Sequence, residues 1–460
     1  MLLLESVACS GRAGHPPVAP RAGSEKTAPA PAARTNATPR EPGAPSEPKE
    51  DAAEVVARAL VETSHVRELS ATGAVRGVAL SRAEMAVRVR RSIEREVPPE
   101  VVASEGEMLV ALGVVPPGFD YMAAIVSLMG AELAGYYEPG EKTMYLASDL
   151  GHVEQYATLA HELVHALQDQ HYDLGKLLEY RPDESDAQSA VHALAEGDAT
   201  SAMLDQLLAP QGKKATDLSD ALLGVQVRAA AQFTSAAGEV PDILKRSLIA
   251  PYVDGIALVH HLRRQGGWAA VDRVWLEPPI STEQLLHPEK LFAREAPVIV
   301  PEPLPPSSGP TKVAYRDVLG EESLRIVFEE WLPRAAAALA ASDWGGDRIA
   351  VFRDDEHVAM ALHLRYDDVA AAERGERAFR RGVGAQAAPK DAAAVASTVP
   401  AAASPELDCV ERAQGPLLVA RRGKDVAVVA GPYERHGASV ASAGTCAGAR
   451  VWAARVLSQH

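Results

Sequence analysis

His161 and His165 stand four residues apart with Glu162 between them, in the run Thr158-Leu159-Ala160-His161-Glu162-Leu163-Val164-His165-Ala166-Leu167. On a helix, residues four apart stack on one face, so both imidazoles can address one ion. Zinc accepts imidazole nitrogen, and a catalytic zinc takes three protein ligands and keeps a fourth position for water. Bound zinc lowers the pKa of that water toward neutrality. Glu162, one step along the turn, is then placed to take its proton as the water attacks a carbonyl. No charge or proline interrupts the flanks, and the chain carries only 14 histidines in 460 residues, so chance accounts poorly for the spacing. The sequence predicts one Zn2+ per chain, held in part by His161 and His165, with Glu162 as general base.

Two residues compete for the third ligand position. His171 completes the spacing HExxHxxxxxH, which resembles the metzincin signature. That signature has a Gly where this chain has Gln168, and a left-handed turn costs a non-Gly residue about 1–2 kcal/mol. If the helix continues, His171 points to another face. Glu196 follows in Ala190-Val191-His192-Ala193-Leu194-Ala195-Glu196-Gly197-Asp198-Ala199-Thr200, a segment of small residues that allows close helix approach. This pair of segments resembles the gluzincins, in which a Glu from a following helix completes the site. The resemblance implies Glu196 as the third metal ligand beside His161 and His165. Asp198 is a candidate to support a ligand from the outer sphere, since zinc-bound His usually donates its other N–H to an oxygen. His192, four before Glu196, reads as an ordinary helix histidine.

The likeness extends to a group of bacterial and archaeal metallopeptidase-like proteins. They share Gly135-Tyr136-Tyr137, the His161 to Gln170 helix and Glu196-Gly197-Asp198-Ala199, in this order. Later stretches also resemble that group: Pro251 to Gly255, Gly266-Gly267-Trp268, Ser281 to Gln284 with His287-Pro288, and Trp344 to Arg348. The resemblance implies a zinc metallopeptidase acting on a peptide or protein, with zinc-bound water attacking the peptide bond. In zincins an edge strand ahead of the zinc helix pairs with extended substrate, and Thr143 to Leu146 holds that sequence position. Tyr252 and His287 are the candidate donors to a developing oxyanion. The competing expectation is a zincin-fold envelope lipoprotein that binds a partner, or a structural zinc, without turnover.

The elements that must position these residues are mostly helical. Residues 52 to 133 read as helices, with an apolar stripe through Val55, Ala59 and Val61 and another through Met85, Val89 and Ile93. Gly135-Tyr136-Tyr137 and Thr143 to Leu146 flank Pro139-Gly140 and predict a β-hairpin. Helices follow at about 153–170 and 185–208, then on to about 275, with one more at 320–341. From Trp344 a strand, acidic turn, strand and helix (Asp368 to Arg381) recur weakly as Leu417 to Ala420, Val426 to Ala430 and a helix near 446–457. The expected class is α+β: a mostly helical, gluzincin-like domain over 51–341 and a small α+β domain over 342–460, with an Ala/Pro/Ser insert at about 385–405. Residues 1–50 read as a Pro/Ala-rich tether that cannot bury enough apolar surface to order itself.

A net charge of −16 argues against a nucleic-acid partner, and the short basic run Arg88 to Arg91 reads as a solvated helix face. No run approaches the ~20 apolar residues that span a bilayer. Ser6-Val7-Ala8-Cys9-Ser10-Gly11 resembles the end of a bacterial lipoprotein signal with Cys9 as the lipidated residue, although Glu5 breaks the apolar stretch and no basic residue precedes it. That leaves Cys409 and Cys446 as a pair able to bridge outside the cytoplasm. The expected location is the cell envelope or beyond, with membrane contact only through a lipid on Cys9.

Overall fold

The computed structural model describes residues 51–130, 134–219, 222–225, 240–387 and 406–459. Cys9, the tether at 1–50 and nearly all of the 385–405 insert lie outside the described residues. The architecture is α+β, mostly helical, with an antiparallel sheet near the C-terminus.

Helix α1 (Ala52–Arg67) is capped by the Asp51 carboxylate accepting from the Ala53 N–H. It buries Val56, Leu60, Thr63 and Arg67, while Val61 is 71% exposed, so the buried stripe is rotated from the expected one. Strand β1 (Arg76–Leu80) interrupts a stretch expected to be helical throughout. The cause is tertiary: β1 pairs in parallel with a strand some seventy residues later, and a Cβ on Gly77 would lie 2.3 Å from the Ala52 carbonyl oxygen. Helix α2 (Arg82–Glu96) starts with a Ser81/Glu84 capping box, buries Met85, Val89 and Ile93 as their spacing requires, and stops before Pro98-Pro99. Helices α3 (Pro99–Leu112) and α4 (Tyr121–Gly130) follow.

Strands β2 (Gly135–Glu138) and β3 (Thr143–Ala147) form the expected hairpin, turning through Pro139–Glu141 and a left-handed Lys142. The sheet order is β1-β3-β2. Thr143 to Leu146 is therefore the central strand rather than an edge, because β1 occupies its other side. The edge nearest the histidines is β2.

Helix α5 (His152–Tyr172) contains no Gly or Pro and runs unbroken through Gln168, ending only at left-handed Asp173. Three long or short helices then pack around it: α6 (Ser185–Leu208), α7 (Asp242–Gly266) and α8 (Trp268–Leu276), followed by α9 (Thr282–Leu286). Leu159, Leu163 and Leu167 of α5 pack with α1 and the hairpin, through Val56, Leu60, Tyr137 and Met144. Val164, on another side of the helix, joins Ala190, Leu194, Leu258 and Leu262 of α6 and α7. Helix α5 is thus buried on several sides.

The remainder builds one sheet from β4 (Val313–Asp317), β5 (Trp344–Arg353), β6 (His357–Tyr366), β7 (Cys409–Val410), β8 (Leu417–Arg422), β9 (Asp425–His436) and β10 (Ser439–Ser442). Its order is β4-β5-β6-β9-β8-β7, with β10 on β9 and every pairing antiparallel. Strand β4 belongs to this sheet although it precedes residue 342. The helix expected at 320–341 is two, α10 (Gly320–Phe328) and α11 (Arg334–Ala341), because Pro333 lacks the N–H and the clearance a continuous helix needs. Helix α12 (Val369–Ala387) reaches into the start of the expected insert.

Alternation along the strands sends Ile349, Val351, Leu362 and Val428 to one face, and Phe352, Ala361, Leu418 and Val429 to the other. Helix α12 covers the first face with Phe379 and Val383. Helix α13 (Cys446–Val456) covers the second with Trp452 and Val456. The first face also shares its core with Met85, Ile93, Leu109, Ile125 and Phe328, so helical region and sheet are joined by one hydrophobic layer. Cys409 and Cys446 are disulfide-bonded and tie β7 to the start of α13.

Candidate metal centre

Four-residue spacing on α5 brings the His161 and His165 rings edge to face, with their Nε2 atoms 3.2 Å apart. Glu196 meets them from α6: its Oε2 lies 3.0 Å from His161 Nε2 and its Oε1 3.7 Å from His165 Nε2. Tetrahedral zinc with ligands at ~2.0–2.1 Å sets its donors about 3.3 Å apart. The observed separations bracket that value. Donor chemistry and donor spacing both fit a zinc ion, and all three residues are at most 1% exposed.

Burial works against charge at each group, and the neighbours decide the outcome. Despite burial, the positive charge on His165 and hydrogen bonds from His161, His165 and His192 hold the Glu196 carboxyl well below the usual carboxylate range. Burial opposes a proton on His165 too, but Glu196, Glu162 and the Gln168 oxygen push it up to about 9. Burial keeps His161 low. A divalent cation among these two carboxyls and two imidazoles would take the place of the protons that the shifts leave on His165 and Glu162.

Glu162 points into the same enclosure. Its Oε2 accepts the backbone N–H of Tyr137 on β2 at 3.1 Å, while Oε1 has no hydrogen-bond partner. Burial pushes its carboxyl up to about 8, with Glu196 adding to the effect. A carboxylate steered through one oxygen, with the other free, is the arrangement a proton acceptor needs.

The outer sphere was only partly legible in the sequence. Gln168, the residue that replaces the metzincin Gly, accepts from or donates to nothing exposed: its Oε1 lies 2.8 Å from His165 Nδ1, and its Nε2 donates to the Ala195 carbonyl and to Asp198 Oδ2. Asp198 therefore supports His165 through Gln168 rather than by touching a histidine. It also accepts from Arg67 Nε at 2.5 Å and Trp275 Nε1 at 2.9 Å. His192 is fully buried beside Glu196, a contact that sequence reasoning left aside. Tyr252 of α7 stacks on His161 with ring centroids 6.0 Å apart.

Two residues named from the sequence fall elsewhere. His171 rides the continuing helix to another face, where its Nε2 meets the Ser70 carbonyl at 2.7 Å. His287 is engaged by both oxygens of Glu321 at 3.0 Å. A second acidic grouping, Glu283, Glu295 and Asp367, is centred on the Lys290 ammonium at 2.6, 2.9 and 2.7 Å. It is an ion cluster already balanced by a cation.

A family model described as Domain of unknown function (DUF8575) matches residues 311–441. The match opens just ahead of β4 and closes in β10, so it takes in the sheet and none of the residues from His161 to Glu196. No curated protein and no solved structure matches the chain.

Proposed function

We propose that this chain is a zinc-dependent metallopeptidase of gluzincin type. The observation that carries the reading is the convergence of His161, His165 and Glu196 on one point, with Glu162 beside them and one of its oxygens unspent. Zinc bound there would supply Lewis acidity toward a carbonyl and toward water. His161 and His165 would hold the ion through Nε2 and Glu196 through a carboxylate oxygen. Glu162, aimed by the Tyr137 N–H, takes the proton of the attacking water and delivers it to the departing amine. Strand β2 supports a place for an extended substrate, since it is the sheet edge beside Glu162. Tyr252 is the better candidate than His287 for the carbonyl-oxygen donor, because it packs on a ligand.

The bonded Cys409–Cys446 pair supports an address outside the cytoplasm. The envelope location, with Cys9 as anchor, stays part of this proposal.

One observation favours the second reading, a zinc-binding lipoprotein without turnover. The donors are 0–1% exposed, so a peptide reaches them only if the packing around them opens. Metal analysis and casein cleavage, with and without a chelator, separate the two. The peptidase reading expects about one zinc per chain, held by the His161, His165 and Glu196 set, and cleavage that the chelator abolishes. Glu162→Gln keeps its zinc and loses cleavage by roughly 10²–10⁴-fold. Zinc without cleavage under any condition favours the binding reading, and a Glu162→Gln variant as active as the parent removes Glu162 as the base.

A further inference from the structure

We propose that His192 is the positioning residue of the metal centre, holding Glu196 by Oε1 so that Oε2 is presented beside His161. This rests on the zinc reading above. Helix α6 places His192 one turn before Glu196, on the same face. His192 Nε2 lies 3.2 Å from Glu196 Oε1, with both side chains at most 1% exposed. The donor atoms that come within 4.8 Å of one another belong to His161, His165 and Glu196; His192 stands outside that set, behind the carboxylate. It is therefore placed as an outer-sphere partner and not as a fourth ligand.

The tautomer follows from the partner. An ionised carboxylate only accepts hydrogen bonds, so Nε2 carries the proton and donates it to Oε1. His192 Nδ1 has no hydrogen-bond partner, so the ring's polar contact is spent entirely on Glu196. A ligating carboxylate offers a metal one oxygen or two. With Oε1 engaged by His192, Oε2 is the oxygen left toward His161, so a zinc held there would take one oxygen from Glu196 and keep a position for water. Without the Nε2–H donor, Oε1 is released in a buried site, where turning both oxygens onto the metal is its remaining way to be satisfied. His192 thus keeps the centre open as well as firm.

The test compares His192→Phe, which fills the space without a donor, with His192→Gln, which restores an N–H at the same i,i+4 reach, both in the full chain. Zinc affinity is measured by competition with a chromophoric chelator. The visible spectrum of the cobalt-substituted protein reports coordination number, and thermal unfolding of the metal-free proteins reports the fold. The expected result is zinc affinity lowered about 10–100-fold in the Phe variant, the cost typical of losing an outer-sphere partner. Its cobalt bands should weaken as coordination rises, and the Gln variant should recover most of both. If the Phe variant does not fold, His192→Met takes its place, with similar bulk and no donor. A Phe or Met variant that binds zinc as tightly as the parent with the parent's cobalt spectrum overturns the proposal. So do Phe and Gln variants equally weakened. A parent protein that takes up no zinc overturns the metal reading itself, a result distinct from either.

Discussion

Glu196 stands within 3.7 Å of three imidazoles, those of His161, His165 and His192, while His171 meets the Ser70 carbonyl on another face of the helix. Metal content after dialysis should divide the two residues sharply. Glu196→Ala is expected to weaken zinc binding by more than the roughly 10–100-fold that an outer-sphere loss costs, because a ligand itself is removed. His171→Ala is expected to retain its zinc. The reverse pattern would return the third-ligand role to His171. At this scale the sequence was legible where geometry is local. His161, Glu162 and His165 belong to one turn of one helix, and their relation follows from helical spacing. Gln168 could be read only as a missing Gly, since its work depends on where Ala195 and Asp198 of α6 come to rest. The same holds for Tyr137, whose N–H reaches Glu162 from a strand the sequence located without its neighbour order.

Between elements, the closest approach near the centre is that of α6 and α7. A Cβ on Gly197, the residue after Glu196, would lie 2.1 Å from the Gly255 carbonyl carbon, and a Cβ on Gly255 would lie 1.8 Å from the Ala193 carbonyl oxygen. The stretch Pro251 to Gly255 now has an account. Gly255 admits the α6 backbone, Tyr252 stacks on His161, and Asp254 binds Arg325 of α10 through both its oxygens. Gly266-Gly267-Trp268 likewise ends α7 at left-handed Gly267 and sets Trp268 between the guanidinium groups of Arg67 and Arg263, at 4.4 and 3.8 Å. These stretches were visible as motifs, but their roles are contacts between segments distant in sequence, which no periodicity encodes. Gly255→Ala offers a test through its sign. In an ordinary helix interior the change stabilises by roughly 0.5–1 kcal/mol. Here it must part α7 from α6, and urea unfolding should show destabilisation by about 1–3 kcal/mol, with weaker zinc binding as Tyr252 shifts. A stabilised variant would show that the two helices are free to separate.

Across the whole molecule, buried acids tie distant elements together, helix to helix at Asp186 and sheet to helix at Asp347. Asp186 on α6 accepts from the Thr282 N–H and hydroxyl, and burial pushes its carboxyl up to about 7. Asp347 on β5 accepts the Leu319 and Gly320 N–H groups at the start of α10, and burial raises it to about 6. A carboxyl whose pKa is raised by folding favours the folded state most when protonated. Its contribution is fully present below its unfolded pKa of about 4 and is lost as pH rises through the folded value. Unfolding free energy measured from pH 4 to pH 8 should therefore lose up to a few kcal/mol to Asp186, and Asp186→Asn, which keeps an acceptor for Thr282, should flatten that loss relative to the parent. Parallel curves for parent and variant would show that Asp186 does not titrate in this range. The strands and helices of this region were readable from alternation and turn residues; their shared core with α2–α4 was not, because apolar pattern tells which face is buried and not against what. That shared layer changes what the family match means. The matched segment stops at residue 441, before the helix that covers Trp452's face of the sheet and before the partner of Cys409. Cut out, it would bare Phe352, Leu418 and Val429 on one side, while on the other α12 would stay and only the packing of Met85, Ile93, Leu109 and Ile125 would be lost. The unit that inheritance recognises here is narrower than the unit that is covered on both faces, and a chain that carries this segment in the same form must bring a cover for the Trp452 side with it.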